Sequence, residues 1–325
     1  MSATALPPTG LPERPQGAPT PHAREAAPPW APCSDRSAER GDPVAGTAGL
    51  GRRWLLVEID GSWGRDAFFE SRLDPVIGRA LVRRAESAGV RPVAIRRPAR
   101  RADARRATTG WRWALVDARP GHERVGWGFA PTTDDLLTVP LDADSDTGEA
   151  SLSPVYLVCT HARHDQCCAV KGRPVVTALA AAYPDETWEC SHLGGDRFAA
   201  TMLVLPHGLF YGRVDQAEDP ADIVTRYTEG RVDERYLRGR SSHSAAVQSA
   251  QHHARAVVPD DRIDAFAPVR VVERDEHVEV TLEGPHGPIE VWLRETYSEP
   301  IFTMCRAHAP GPVRQWELIE VRGGG

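Results

Sequence analysis

The chain has 325 residues, of which 41% are hydrophobic and 26% are charged. This composition predicts a globular protein with one large core or two modest ones, and it excludes a wholly disordered chain. The net charge of −6 gives no general attraction to polyphosphate, so nucleic acid is not an expected partner. The sequence has no run of roughly 18 apolar residues and no secretory leader, which predicts a cytoplasmic protein without membrane insertion.

The first predicted segment, residues 1–49, is a flexible leader, because it contains ten of the 28 prolines and little apolar periodicity. A small α/β unit is predicted over residues 50–150, where short apolar runs typical of strands surround one helical pattern. Its predicted elements are a strand at Trp54–Ile59, a helix at Pro75–Ala88, and strands at Pro92–Ile95 and Trp113–Val116.

An acidic, turn-rich stretch at residues 141–151 predicts a boundary, and a second α/β unit extends over residues 151–258. A β-rich extension over residues 259–325 follows, in which short β-rich runs alternate with glycine and proline turns. The elements predicted for the second unit are strands at Val155–Val158, Phe198–Leu205 and Leu209–Val214, and helices at about Pro174–Tyr183, Asp219–Tyr227, Asp233–Leu237 and Ala245–Val257. No internal repeat is evident, although the element order leaves a common architecture of the two units open.

Six cysteines are the most informative residues of the chain. A disulfide framework is not expected in a cytosolic chain of this size, and four of the six fall within 32 residues. Such clustering favours metal or redox chemistry, whereas cysteines outside the cluster are expected to pack as small apolar residues. The clustered cysteines are Cys159, Cys167, Cys168 and Cys190, and the two expected to have a packing role are Cys33 and Cys305.

Two segments bring these thiols toward one end of a predicted sheet. In the first, Cys159 ends a buried strand, and Cys167 and Cys168 follow a polar loop whose N–H groups and basic side chains would stabilise thiolates. In the second, Cys190 and His192 precede a pair of glycines, which allow positive φ angles and a close approach to a bulky cofactor. Three other histidines are expected to have no ligand role: His161, His164 and His207.

The spacing leaves three kinds of site open. A structural zinc site usually has tighter knuckles than the C-x8-C spacing of Cys159 and Cys168. A thioredoxin-type disulfide centre would need C-x-x-C, which the adjacent Cys167 and Cys168 do not provide. An iron–sulfur cluster accepts longer ligand loops and can replace thiolates by imidazoles, so the spacing favours it.

The sequence resembles the sucrase/ferredoxin-like family, a group of thioredoxin-like 2Fe-2S ferredoxins, over about residues 33–320. The resemblance implies a 2Fe-2S cluster in a thioredoxin-like second unit that carries electrons, and nothing in the sequence suggests a glycosidase. The motifs that carry it are Cys33-Ser34, Gly41-Asp-Pro43, Gly46-Thr-Ala48, Arg53-Trp-Leu-Leu-Val-Glu58, Trp63-Gly64, the loop from Cys159-Thr-His161 to Cys168-Ala169, Trp188-Glu-Cys-Ser-His-Leu-Gly-Gly195, Arg197-Phe-Ala199, Leu205-Pro206 and Tyr211-Gly-Arg213.

Carried over by position, the resemblance implies cluster ligands at Cys159, Cys168, His192 and Asp196. Asp196 is a departure, because eukaryotic relatives have a second histidine there and a carboxylate is an uncommon ligand for such clusters. Cys190, slightly favoured, and Cys167 are the alternative fourth ligands.

The partner implied is an unidentified redox protein, either a reductase or an acceptor. Arg163, Arg173 and Arg197 are expected to neutralise the cluster or to dock an acidic partner, unless they form only a solvated basic face. Two other functions remain open at this point: a thiol–disulfide oxidoreductase and a zinc-stabilised binding module.

Overall fold

The first described element is a helix, α1 (Cys33–Glu39), inside the segment predicted to be a flexible leader. Side-chain contacts hold it in place, because Lys171 Nζ lies 2.8 Å from Asp35 Oδ1 and Arg213 donates to the Ser37 carbonyl at 3.0 Å. The leader prediction is therefore wrong for this helix, since tertiary contacts order a segment that has little apolar periodicity. The computed structural model describes residues 31–98, 110–142, 150–151 and 153–323, so most of the predicted leader and of the acidic linker lie outside the described residues.

The remaining elements follow the predicted order closely and confirm the α/β class. The first half contains β1 (Arg53–Glu58), α2 (Pro75–Ser87), β2 (Arg91–Arg96), β3 (Trp111–Asp117), β4 (Arg124–Ala130) and β5 (Ala150–Ser151). The second half contains β6 (Val155–Cys159), α3 (Gln166–Ala182), β7 (Thr187–Cys190), β8 (Met202–Leu205), β9 (Leu209–Tyr211), α4 (Pro220–Thr228), β10 (Leu237–Arg240) and α5 (Ala245–Val257). The C-terminal part contains β11 (Pro268–Glu273), β12 (Val278–Gly284), β13 (Gly287–Tyr297) and β14 (Arg314–Arg322).

Two predicted helices differ from the structure. Helix α3 begins at Gln166 rather than near Pro174, because the Asp165 carboxylate accepts the Cys167 N–H at 2.8 Å and caps the helix earlier. The helix predicted at Asp233–Leu237 is wrong, because the Asp233 side chain accepts the N–H of Arg235 and forms a turn that leads into β10.

The strands β1 to β10 form one mixed sheet in the order β10-β9-β8-β6-β7-β2-β1-β3-β4-β5. In the second half, β6 and β7 are parallel neighbours joined by α3, and β8 and β9 are added antiparallel beside β6. The first half repeats this arrangement, with β1 and β2 parallel around α2 and with β3 and β4 added antiparallel. The thioredoxin-like order expected for the second half thus occurs twice, although no repeat is visible in the sequence.

Strands β2 and β7 join the two halves at the middle of the sheet. They pair antiparallel, with Ile95 opposite Cys190 and Arg96 opposite Glu189. Apolar side chains from both halves therefore share one core, in which Trp54 of β1 and Trp188 of β7 are fully enclosed. The division of the chain near residue 150 into separate domains stays a prediction, since the strands on both sides of it belong to one sheet.

The predicted β-rich extension forms a separate antiparallel sheet in the order β11-β12-β13-β14. Its buried face packs against α5 through Val280 and Val291 on the sheet and Ala250 and Ala254 on the helix. This contact attaches the extension to the part of the chain that directly precedes it. None of the helices in the described ranges has the length and apolar content needed to span a bilayer.

Acid sensitivity is expected from His243, a half-buried residue just before α5. Burial, and then the neighbouring Arg240, lower the pKa of this imidazole to about 4, whereas an unfolded histidine has a pKa of about 6.5. Between these values the unfolded chain binds a proton that the folded chain does not. The free energy of unfolding therefore falls as the pH decreases from about 6.5 towards 4.

The substitution His243→Gln is expected to reduce this acid-induced loss by about 2 kcal/mol, measured by urea unfolding at about pH 7 and about pH 4.5. The matched control is His286→Gln, which changes an exposed histidine. The prediction is contradicted when His243→Gln and the unmodified chain lose the same stability between the two pH values.

Candidate metal centre

The first part of the site is the contact between the end of β6 and the start of α3. Cys159 is the last residue of β6, and Cys168 lies in the first turn of α3, where each thiol shifts the pKa of the other. Gly172 permits this approach, because a Cβ built at that position would lie only 2.3 Å from the carbonyl oxygen of Cys159. Both thiols are enclosed, with 0% and 1% of the residues exposed.

The second part is the loop after β7, which returns toward the thiols. Gly194 and Gly195 have φ angles of 93° and 81°, and the Arg238 guanidinium occupies the place where a Cβ of Gly195 would lie. Arg238 also donates to the Gly194 carbonyl at 2.8 Å. The positive φ angles expected for the paired glycines are confirmed, and the buried Arg238 that supports the turn was not predicted.

This turn places Asp196 between a thiol and an imidazole. Its Oδ1 atom accepts from Cys168 Sγ at 3.2 Å and lies 3.0 Å from His192 Nδ1. Four side chains expected to be ligands are therefore adjacent in the structure. We call the group of Cys159, Cys168, His192, Asp196 and the neighbouring His164 the mixed-donor site.

His164 was expected to have no ligand role, yet its ring stacks on that of His192 with a centroid distance of 3.7 Å. Its Nε2 atom lies 3.8 Å from Asp196 Oδ2, and the ligand atoms of the three residues converge within 4.8 Å. The turn before α3 directs this side chain toward His192, and the absence of a ligand role stays a prediction. The one local signal in the sequence is that His164 directly precedes Asp165, the residue that caps α3.

Charge is distributed unevenly within the mixed-donor site. Contact with Cys168 and the nearby His192 lower the pKa of Cys159 although burial opposes this, whereas contact with Cys159 and burial raise the pKa of Cys168. Burial disfavours the charged forms of both His192 and Asp196. Their mutual contact outweighs it, so the pKa of His192 is raised and that of Asp196 is lowered.

The two sides of the site differ in their access to solvent. The thiols lie inside the sheet, while the side chains of His192 and His164 are 30% and 29% exposed. A metal group held here would be enclosed on the thiol side and approachable on the imidazole side.

Cys167 lies next to Cys168 in sequence but belongs to a different group of thiols. Its Sγ is 3.7 Å from Cys33 Sγ and 2.9 Å from Cys305 Sγ. We call Cys33, Cys167 and Cys305 the three-thiol cluster. Cys33 is buried in the apolar core and Cys305 packs against it, as expected of a packing role, and the fold also brings both thiols to Cys167.

Cys190, the alternative slightly favoured as fourth ligand, is fully buried on β7 beside Cys159. Burial and the proximity of Cys159 raise the pKa of its thiol well above the usual range. Among the described residues, two groups of ligand atoms converge within 4.8 Å, and Cys190, like Cys159 and Cys168, belongs to neither.

The three arginines expected to support the site lie in different environments. Arg163 and Arg173 are exposed, whereas Arg197 is buried beside the ring of Phe198. The Nε atom of Arg197 is 3.9 Å from Asp42 Oδ2, and its charge acts on Cys33 of the three-thiol cluster. Electrostatic support of the mixed-donor site by these three residues stays a prediction.

A charged network lies directly beside Cys159. Glu189 accepts from Arg96 Nε at 2.9 Å and from the hydroxyl of Thr160 at 2.8 Å, and Thr160 follows Cys159 in the chain. The Arg96 guanidinium also lies over the ring of Trp63, 4.0 Å from its centroid. This network links the paired strands β2 and β7 to Thr160, the residue that follows Cys159.

The fold and the donors together define an α/β protein with a thioredoxin-like strand order and a candidate metal site at one end of its sheet. A model of the sucrase/ferredoxin-like family matches residues 45–239, which is about three-fifths of the chain. The chain therefore belongs to the sucrase/ferredoxin-like family. Comparison with curated proteins and with solved structures found no significant match.

Proposed function

We propose that the mixed-donor site holds a 2Fe-2S cluster and that the protein carries single electrons. The observation that supports this most directly is the contact of Asp196, in the loop after β7, with both Cys168 and His192, close to Cys159 at the end of β6. Membership of the sucrase/ferredoxin-like family supports the same function. We also propose that the protein exchanges these electrons in the cytoplasm with a redox protein, either a reductase or an acceptor.

The donors at this site fit such a group chemically. Iron–sulfur clusters are held by thiolates, and imidazoles can replace part of them. The lowered pKa of Cys159, caused first by contact with Cys168, favours its thiolate form. His192 Nδ1 is buried and makes no hydrogen bond of good geometry, so this nitrogen is available as a ligand atom.

The chain contributes position, enclosure and proton coupling to this function. A bound 2Fe-2S cluster supplies reversible one-electron transfer. The enclosed thiols keep water from the inner side, while the partly exposed imidazoles of His192 and His164 give a redox partner its shortest approach. A neutral imidazole in place of an anionic thiolate raises the reduction potential, and a solvent-facing ring nitrogen links it to pH.

Asp196 is the fourth ligand that we propose, and His164 is its nearest competitor. Asp196 lies between Cys168 and His192 at 3.2 and 3.0 Å, whereas His164 reaches the site from the loop and stacks on His192. The same contacts leave Cys167 less suitable, because its thiol lies in the three-thiol cluster.

The proposal predicts that the anaerobically purified chain is brown, contains about two irons and about two acid-labile sulfides, and is bleached by dithionite. Cys159→Ser is expected to remove most of the iron and the electron paramagnetic resonance signal of the reduced protein. Cys190→Ala should retain both, because Asp196 and not Cys190 is the fourth ligand that we propose. A colourless protein without sulfide contradicts the proposal. Stoichiometric zinc at this site would favour a zinc-binding module. Exchange of a dithiol substrate by the iron-free chain would favour a thiol–disulfide oxidoreductase.

A second experiment identifies the fourth ligand. Asp196→Ala and His164→Ala are purified and reduced in parallel, and their resonance spectra are compared with that of the unmodified chain. Loss of the iron in Asp196→Ala with retention in His164→Ala is the result expected. The reverse pattern would assign the ligand to His164 instead.

A further inference from the structure

We propose that the three-thiol cluster, with the carboxylate of Asp165 as fourth ligand, is a second metal site that binds a single zinc ion. The thiols of Cys33, Cys167 and Cys305 and one oxygen of Asp165 lie within 4.8 Å of one another. Structural zinc sites are tetrahedral and are commonly built from three or four thiolates. The site lies outside the ligands proposed for the 2Fe-2S cluster.

The distances agree with ligands that share one tetrahedral ion. Zinc–sulfur bonds of about 2.3 Å place two thiolates on one ion about 3.8 Å apart. The Sγ atom of Cys33 lies 3.7 Å from Cys167 and 3.6 Å from Cys305. The third pair, Cys167 and Cys305, is 2.9 Å apart and has to open by only about 0.9 Å.

A disulfide between Cys167 and Cys305 accounts for less of this arrangement. It would require a sulfur–sulfur distance of about 2.05 Å and would leave Cys33 without a role. Yet Cys33 approaches both other thiols, and its backbone N–H points at Cys305 Sγ at 3.5 Å. Its thiol also lies 3.9 Å from Asp165 Oδ2, so all four side chains face one position.

Backbone contacts orient the carboxylate as they do around many metal ligands. Asp165 Oδ2 accepts the N–H of Cys305 at 2.6 Å, and Oδ1 accepts the N–H of Cys167 at 2.8 Å. These bonds fix the carboxylate between two of the thiols. A soft thiolate set completed by one carboxylate is suited to zinc rather than to calcium or magnesium, which bind oxygen ligands.

The helical geometry of α3 keeps this site apart from the mixed-donor site. Successive residues of an α-helix point about 100° apart, so the neighbouring Cys167 and Cys168 face different groups. Cys168 contacts Asp196 at 3.2 Å, whereas Cys167 contacts Cys305 at 2.9 Å. One helix turn thus supplies one ligand to each site.

Zinc at this position would fasten three distant segments of the chain. Cys33 lies in α1, Cys167 at the start of α3, and Cys305 in the loop between β13 and β14. Arg36 of α1 lies over the ring of Phe302 in the same loop, 5.6 Å from its centroid. The ion would therefore hold α1 and the loop between β13 and β14 against the helix that carries Cys168.

The test measures metal content of the full chain, purified anaerobically without a chelator. We expect about one zinc per chain and X-ray absorption dominated by sulfur ligands at about 2.3 Å. The double substitution Cys33→Ser/Cys305→Ser should reduce zinc at least tenfold and leave iron unchanged. Cys190→Ala, a buried cysteine outside the three-thiol cluster, should keep its zinc.

Two results would overturn the proposal. One is a zinc-free chain whose unreduced form contains a Cys167–Cys305 disulfide by peptide mass analysis; the other is loss of iron rather than zinc in the double substitution. Cobalt added to the unmodified, zinc-depleted chain provides a measurement that does not depend on folding of the variant. A thiolate-to-cobalt charge-transfer band that saturates at one equivalent of cobalt per chain supports the zinc site. The absence of this band contradicts the proposal.

Discussion

Replacing Glu189 with leucine is expected to lower the free energy of unfolding by about 3 to 5 kcal/mol. Glu189 and Arg96 are each 5% exposed, and Arg96 donates to Glu189 Oε2 at 2.5 and 2.9 Å. Removing the carboxylate leaves a buried guanidinium without its counter-charge, and the Thr160 hydroxyl loses its acceptor. Arg96 and Glu189 lie opposite each other on β2 and β7. The substitution therefore weakens the strand pairing that joins the two halves of the sheet.

Urea unfolding followed by circular dichroism measures this effect. Glu320→Leu is the matched control, since Glu320 and Arg322 form a similar pair with side chains 45% and 50% exposed. Such a surface pair contributes at most about 1 kcal/mol. The double substitution Arg96→Leu/Glu189→Leu should recover part of the stability, because it also removes the unpaired charge. Equal losses in Glu189→Leu and Glu320→Leu would show that the buried pair has no special role.

The second large effect is expected from Gly172→Val, which should remove most of the iron of the purified chain. A Cβ at this position would lie 2.3 Å from the Cys159 carbonyl oxygen, which is backbone and cannot rotate away. Helix α3 must therefore move off β6, and Cys168 moves with it away from Cys159. Overpacking of this kind also costs about 1 to 3 kcal/mol of stability.

Ala181→Val is the control for Gly172→Val, because it places the same β-branched side chain on the exposed face of the same helix. Iron content per folded chain separates a displaced ligand from a general loss of stability. A folded Gly172→Val protein with normal iron content would mean that Cys168 is not a ligand or that the helix moves without carrying it.

The start of α3 shows how a local signal can be overlooked. Asp165 is a good helix cap and stands directly before Gln166, yet Pro174 suggested a later start. The residue whose carbonyl would pair with position 174 is Val170, which is 60% exposed, so the bond lost to proline lies at the surface. The earlier start decides the site, because it places Cys167 and Cys168 in the first turn of a helix instead of in a loop.

Local sequence determined the α/β class, most of the strands and the helices α2 and α5, because apolar periodicity and capping act between residues close in the chain. The resemblance to the sucrase/ferredoxin-like family, rather than spacing, implied Cys159, Cys168, His192 and Asp196 as ligands, and these residues lie in two short segments that each follow a strand. Tertiary structure alone decided the stacking of His164 on His192 and the convergence of Cys33 and Cys305 on Cys167. Those contacts join residues up to 272 positions apart, and no spacing rule connects residues at that distance before the sheet brings them together.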